Sequence, residues 1–344
     1  MANINNSQEY LLLIEERLRQ NWDKFSSEIP IHFLTAYHMG WVDENFQPLE
    51  NIKGGKRLRP LFCVLINQAL NGILDDALDI GSALEFLHNF SLVHDDIQDR
   101  DEKRHGKWTV WKIWGEAQAI NVGDLLFNLA FQILANLSSP LLVSKSIQEV
   151  THTIQELIEG QYLDLSFEQK KEVSLKEYMQ MIDKKTAKLF ATCFYLGAFS
   201  ATYKDEISKE FQEIGEKFGL CFQIADDAMG IWGNPDKTGK NSLADLWRRK
   251  KTYPILYTYS EASDKERLKI EEIWSKEYLT DQDIYDLIEL IEDKRAKEAT
   301  FNLIEKFFNG SYKKLLSFER VYDISLIKEI FENYYDLIFS IQRS

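Results

Sequence analysis

Apolar residues recur every three or four positions through nearly the whole chain, the spacing that gives a helix one buried face. Residues 10–25, 61–70, 147–165 and 284–308 carry it well. Strand-like alternation bounded by hairpin turns is missing, and no internal repeat of fixed period occurs. The six prolines and sixteen glycines form no linker or low-complexity tract. The pattern predicts an all-α chain, one domain of about ten or more helices.

One stretch departs from simple amphipathicity. Residues 82–106, SALEFLHNFSLVHDDIQDRDEKRHG, start as an apolar helix, expected from about 75 to 100, and end in Asp95, Asp96, Asp99 and Asp101. At about 100° per residue, Asp95 and Asp99 share a face and Asp96 lies beside them. Carboxylates held so close repel unless a cation sits among them. Hard, partly solvated oxygens suit Mg²⁺, which prefers to arrive with a phosphate attached; the plain alternative is a solvated acidic helix end. His88, Ser91 and Asp95 line one face at i, i+3 and i+7. Trp108, Trp111 and Trp114, at i, i+3 and i+6, are read as packing. A second acid group stands far along the chain: Gln223, Asp226 and Asp227, at i, i+3 and i+4 on a helix that Gly230 and Gly233 end.

Cations are grouped where an anion could use them. Residues 51–60, NIKGGKRLRP, place Lys56, Arg57 and Arg59 after a glycine pair and before a helix start, a local anion site. Arg104 and His105 follow the first acids. Lys184, Lys185 and Thr186 interrupt an apolar helix, with a solvent-facing turn as the plain reading. Lys237 and Lys240, then Arg248 to Lys251, follow the second acids. Residues 115–133 read as another buried helix with Asn121 and Asp124 as polar inserts, and Gln161 and Asp164 as buried polar groups facing a cavity or each other. Two acid clusters and four cation groups together point to a diphosphate handled by metal.

Composition narrows the partners. The net charge of −14 over 344 residues argues against nucleic acid, whose phosphates want a basic surface. Cys63, Cys193 and Cys221 stand singly in apolar contexts and read as core residues of a reduced compartment. The N-terminus lacks the basic-then-apolar pattern of a signal peptide, and no run approaches about 18 apolar residues, so the expectation is a soluble, cytoplasmic chain that does not span a membrane.

The motifs GGKRLRP at 54–60, HDDIQD at 94–99, GQYLDL at 160–165, DKKTAKLF at 183–190 and FQIADD…GK…D at 222–245 resemble the trans-polyprenyl diphosphate synthases, from about residue 20 to the C-terminus. The resemblance implies one all-α bundle around a deep central cavity, with the first ~18 residues peripheral, and a homodimer. It implies that Asp95, Asp96 and Asp99 bind Mg²⁺ on an allylic diphosphate, with Asp226 and Asp227 holding a further ion, about three in all. Arg104, Lys185, Lys240 and Lys250 would grip the allylic diphosphate; Lys56, Arg59 and His88 would hold isopentenyl diphosphate. Gln223 and Thr186 would stabilise the allylic cation.

Three positions depart from the family. The second of a usual arginine pair, which contacts isopentenyl diphosphate, is His105 here, so affinity is expected to fall or to depend on pH. The usual third aspartate of the second motif is Gly230, and a usual aspartate after the next turn is Asn234. Product length follows from the residues before Asp95. Farnesyl synthases of the family carry aromatics at both the fourth and fifth positions, whereas this chain has Ser91 and Phe90. That combination resembles geranylgeranyl synthases; a synthase of another chain length or a non-catalytic subunit of a heteromeric synthase are the alternatives. A terpene cyclase would need an Asn/Ser/Glu second metal motif, which residues 226–245 do not supply; a metal phosphohydrolase around His94 would need further histidine ligands and would leave the duplicated acids and the GGKRLR run unexplained.

Overall fold

The computed structural model describes residues 6–49, 55–233 and 243–342. It is 78% helical, and among the described residues the only sheet is a hairpin of two two-residue strands. The helices are α1 (Ser7–Phe25), α2 (Ile31–Met39), α3 (Leu58–Ala69), α4 (Leu74–Gln98), α5 (Val110–Trp114), α6 (Glu116–Leu134), α7 (Pro140–Gln169), α8 (Leu175–Ile182), α9 (Lys188–Thr202) and α10 (Asp205–Trp232). A short turn Ala244–Trp247 and the helices Tyr253–Glu261, Asp264–Ser275, Asp281–Asp293, Ala296–Leu316 and Ser325–Gln342 follow. Two compact units result: residues 1–151, 192–211 and 322–327, and residues 152–191, 212–321 and 328–344.

The first unit is built on α4. This helix buries residues on every face, from Ala77 and Ile80 to Phe90 and Val93, so it lacks the polar stripe of a surface helix. Asp75 and Asp76 in its first turn complement the helix dipole, and Asp76 also accepts from Ser138 Oγ at 2.6 Å. α1, α3 and α6 pack on it. Gly81 permits the closest approach to α3: a Cβ there would lie 3.1 Å from Pro60 Cβ. α1 buries Tyr10, Ile14 and Leu18, and Arg17 bonds Asp79 of α4 at 2.9 Å.

The second unit gathers aromatic rings. Phe218 lies 5.4 Å from Phe190 and 4.8 Å from Phe331, ring centre to ring centre. A separate apolar cluster joins Ile231, Leu246, Ile255, Ile284 and Ile291. Ser174 caps α8 in a reciprocal box with Glu177.

Several local expectations are corrected here. The segment read as one periodic stretch over 284–308 is two helices, parted where Arg295 takes a left-handed φ of 53°. The hairpin pairs Lys103–Arg104 with Lys107–Trp108 around His105 and Gly106, both at positive φ (51° and 78°). That is the geometry of a tight two-residue hairpin turn. Residues 183–187 form a π turn, with Lys188 N–H reaching Asp183 O. Asn121 and Asp124 are exposed on α6 rather than buried. The three cysteines are free and buried, as expected. Among the described residues no helix is long and apolar enough to cross a membrane.

Candidate active site

In the first unit, the C-terminal end of α4 presents Asp95 and Asp99 half-buried, one turn apart, while Asp96 is only 2% exposed. Asp96 points into a salt bridge with Arg104, whose Nη2 lies 2.7 Å from Oδ1. The hairpin makes this possible by folding the chain back within eight residues. Burial pushes the Asp96 carboxyl up to about 6 against the opposing pull of Arg104. His105 stands exposed at the hairpin tip.

The basic run divides. Lys56 is exposed, and Arg59 Nη1 meets His88 Nε2 at 3.2 Å. Arg57 is not part of an anion site. It is 6% exposed and bonds Glu85 Oε1 at 2.7 Å, Glu15 Oε2 at 3.2 Å and Met39 O at 3.2 Å. Ser91 turns its hydroxyl onto His88 O at 2.7 Å. Phe90, 8% exposed, packs its ring against Phe127 of α6.

His38 and His88 are both held neutral. Burial, followed by the charges of Lys107 and Arg104, lowers His38 well below 6.5; burial and then Arg59, Arg104 and Arg57 do the same to His88. The unfolded chain binds a proton on each near 6.5 and the folded chain does not. Stability is therefore full above pH 6.5 and lost as pH falls below it, by up to about 1.4 kcal/mol per pH unit per histidine. The Asp96 and Asp227 carboxyls, raised by burial, gain stability over the same range and offset the sum, so the histidine share is read as the difference between wild type and His38→Gln in denaturant unfolding from pH 7.5 to 5. An unchanged slope in His38→Gln contradicts the assignment.

In the second unit, the residues expected to act together do meet. Thr186 Oγ1 donates to Gln223 Oε1 at 2.8 Å, and Gln223 Nε2 donates to Asp227 Oδ1 at 3.1 Å. Two residues that sequence spacing gave no reason to suspect complete the group: the Tyr178 hydroxyl and the Tyr253 backbone N–H (3.0 Å) both donate to Asp227 Oδ2. Asp227 is buried and its carboxyl is pushed up to about 7, burial outweighing those donors. Asp226 remains half-buried one residue before. Lys185 meets Asp164 at 2.5 Å, and Lys184 meets Glu156 and Glu159 at 2.7 Å each. A Cβ on Gly160 of α7 would lie 2.7 Å from Lys185 Cα, so the glycine lets α7 approach the π turn. Lys250 is half-buried, its N–H bonded to Asp245 O at 2.9 Å. Lys240 and Asn234 lie outside the described residues.

The Gly230 departure has a geometric counterpart. A Cβ there would collide with Asp245 Oδ2 and lie 2.9 Å from Asp245 Cγ. The space where a third aspartate side chain would begin holds the carboxylate of Asp245.

The donors suit Mg²⁺ chemically. Asp95 with Asp99, and Asp226, offer hard oxygens that are still half-accessible, which fits an ion bound by one or two carboxylates, water and phosphate. Among the described residues no three or more His, Cys, Asp or Glu side chains are gathered into a closed cage.

The polyprenyl synthetase family model matches residues 41–291. The (2E,6E)-farnesyl diphosphate synthase of Mycobacterium tuberculosis is 38% identical over 247 residues, 72% of this chain and 67% of its own. The geranylgeranyl diphosphate synthase of Saccharolobus solfataricus is 35% identical over 285 residues, 80% of this chain and 85% of its own. The crystal structure of a geranylgeranyl pyrophosphate synthetase from Pyrococcus horikoshii superposes with a TM-score of 0.83 at 30% identity, covering 96% of each chain. The matched span contains both acid groups, the Arg59–His88 pair and the Thr186–Gln223–Asp227 chain, and on these grounds the chain belongs to the polyprenyl synthetase family and is a trans-prenyltransferase.

Proposed function

We propose that this enzyme condenses isopentenyl diphosphate with an allylic diphosphate to give an all-trans prenyl diphosphate, geranylgeranyl diphosphate in particular, and that it requires Mg²⁺. The observation that carries the reading is one helix, α4, bearing Asp95 and Asp99 at its end and a buried Phe90 one turn and more before them. Asp95 and Asp99, with Asp96 buried beside them, would hold Mg²⁺, and Asp226, with the buried Asp227 next to it, would hold a further ion. The ion, when bound, neutralises charge on the departing diphosphate.

The side chains supply the rest. Arg104, Lys185, Lys240 and Lys250 grip the allylic diphosphate, Lys185 exchanging Asp164 for phosphate oxygen. Charge that builds on the leaving diphosphate as the C–O bond ionises is thereby met by fixed cations. Lys56, Arg59, His88 and His105 hold isopentenyl diphosphate. His88, neutral and accepting from Arg59, keeps that guanidinium aimed. The Gln223 carbonyl and Thr186 hydroxyl lie ready to stabilise the allylic cation, which the double bond of isopentenyl diphosphate attacks. A proton is then lost to the diphosphate. The tail grows along α4 until Phe90 stops it. The working form is a cytoplasmic homodimer.

Product analysis tests this. The purified chain is incubated with Mg²⁺, labelled isopentenyl diphosphate and each short allylic diphosphate in turn, and the dephosphorylated alcohols are sized. The expected result is a dominant twenty-carbon alcohol, with kcat/KM reduced a hundred- to a thousand-fold in Asp95→Ala, about 2.7–4 kcal/mol. A different dominant length overturns the geranylgeranyl reading alone. No condensation from any starter overturns the catalytic one.

A further inference from the structure

Residues 243–253 leave the second acid group and return to it. At one end Leu243 N–H bonds Gly230 O at 3.0 Å; at the other, Tyr253 N–H bonds Asp227 Oδ2, also at 3.0 Å. Between them the turn Ala244–Trp247 is closed by two main-chain bonds, Arg249 N–H to Leu246 O (3.0 Å) and Lys250 N–H to Asp245 O (2.9 Å). That pair is the Schellman pattern, which puts Arg249 in the left-handed position that glycine usually takes. Its φ is 55°. Glycine adopts such a backbone without steric cost and arginine does not, so the arginine side chain must contribute a compensating contact.

It does. Arg249 Nη2 donates to Lys276 O and to Glu277 O (3.0 Å), just beyond the helix Asp264–Ser275. Lys251 does the same at a second helix end. Its Nζ donates to Phe167 O at 2.6 Å and to Lys170 O, at the C-terminus of α7. The ammonium also stands 5.7 Å from the centre of the Trp274 ring, on the helix that Arg249 caps. Carbonyls at a helix end have lost their intrahelical donors, and the helix dipole favours a cation there. Of the four cations at 248–251, these two are therefore bonded inward to main-chain oxygen. Lys250 stands between them, on a segment pinned at both sides.

We propose that Arg249 and Lys251 are positioning residues: by tying residues 248–251 to two helix ends they hold Lys250 where it meets the allylic diphosphate, and they touch no substrate themselves. The inference rests on the diphosphate role proposed above for Lys250.

The experiment measures the KM for each substrate and, by calorimetry, the affinity for inorganic diphosphate with Mg²⁺. It compares wild type with Lys250→Met, Lys251→Met, Lys251→Arg, Arg249→Gly and Lys250→Met/Lys251→Met, each checked by melting temperature. Lys251→Met and Arg249→Gly should each raise the KM for the allylic diphosphate about tenfold and weaken diphosphate binding as much, the order of one charge-assisted hydrogen bond. The KM for isopentenyl diphosphate should stay within about twofold. Arg249→Gly relaxes the backbone, so its loss cannot come from a strained turn. Lys251→Arg, which keeps a cation at the carbonyls, should recover most of the affinity. In the double variant Lys251→Met should add nothing to Lys250→Met, because the group it positions is gone. Contacts that only stabilise the fold would lower the melting temperature and leave the ratio of the two KM values alone, and that result overturns the proposal. So do losses that multiply in the double variant, which would make Lys251 a diphosphate ligand in its own right. If Lys251→Met does not fold, Arg249→Gly and Lys251→Arg decide the matter. Diphosphate binding separates this inference from the reading beneath it. A wild type that condenses nothing yet binds diphosphate with this pattern of losses sinks the prenyltransfer reading and keeps the positioning one. A wild type that condenses, with wild-type KM values in Lys251→Met and Arg249→Gly, does the reverse.

Discussion

Replacing Gly230 with aspartate is expected to cost this enzyme stability and activity, although it would restore the third acid that the family usually carries there. The position is filled from above. A Cβ on Gly230 meets the Asp245 carboxylate, and the Leu243 N–H bond to Gly230 O at 3.0 Å holds the backbone leading to Asp245 against this turn of the helix. Overpacking of this kind costs about 1–3 kcal/mol. A fourth carboxylate beside Asp226, Asp227 and Asp245 adds like-charge repulsion, and the Asp227 carboxyl is already raised in part by the other two. Thermal unfolding should show Gly230→Asp melting several degrees below wild type, with kcat/KM down at least tenfold. The informative variant is Gly230→Asp/Asp245→Ala, which removes the obstructing group while leaving three acids. It should melt above Gly230→Asp and recover part of the lost rate. A single Gly230→Asp variant as stable and as fast as wild type would show that the two side chains do not compete for one space.

What the sequence disclosed, and what it hid, divides along physical lines. The 3.6-residue apolar period is a local signal, so the long helices and the acids at the end of α4 could be read from it, and a shared role for Thr186 and Gln223 was implied by family motifs, though not their contact. The hairpin was not legible: two-residue strands are too short to show an alternating pattern, yet that hairpin folds Arg104 back onto Asp96. The π turn at 183–187 leaves apolar spacing almost unchanged. The break at Arg295 carries neither glycine nor proline, so the two flanking helices read as one. Partners distant in sequence were invisible for a different reason. Tyr178 lies 49 residues from Asp227, and no spacing rule connects a tyrosine to a carboxylate at that range.

Arg57 is the sharpest instance, and it carries the largest stability effect expected here. In the sequence it is the middle cation of a basic run beside a helix start, which reads as phosphate binding. In the fold it is a structural charge. Burial would lower its pKa, but Glu85 and Glu15 outweigh that and hold the guanidinium charged. Arg57 and Glu85 are 6% and 3% exposed, and Asn89 Nδ2 donates to Glu85 Oε1 at 3.0 Å. Glu85→Ala should therefore destabilise the protein by about 3–5 kcal/mol, because it leaves a buried guanidinium with only Glu15 to oppose it. Removing both charges is different. Arg57→Met/Glu85→Leu takes away the desolvation cost with the attraction, so the double variant should be more stable than Glu85→Ala, and the cycle should be clearly non-additive. The same double variant separates structure from catalysis. A diphosphate ligand at Arg57 would make its loss raise the KM for isopentenyl diphosphate strongly, as charge-assisted phosphate bonds are among the stronger ones. With Arg57 bound inward to Glu85, Glu15 and Met39, that KM should stay within about threefold of wild type, a difference of about 0.65 kcal/mol. A tenfold rise in KM at unchanged stability would return Arg57 to the substrate site and leave the Glu85 pairing unimportant.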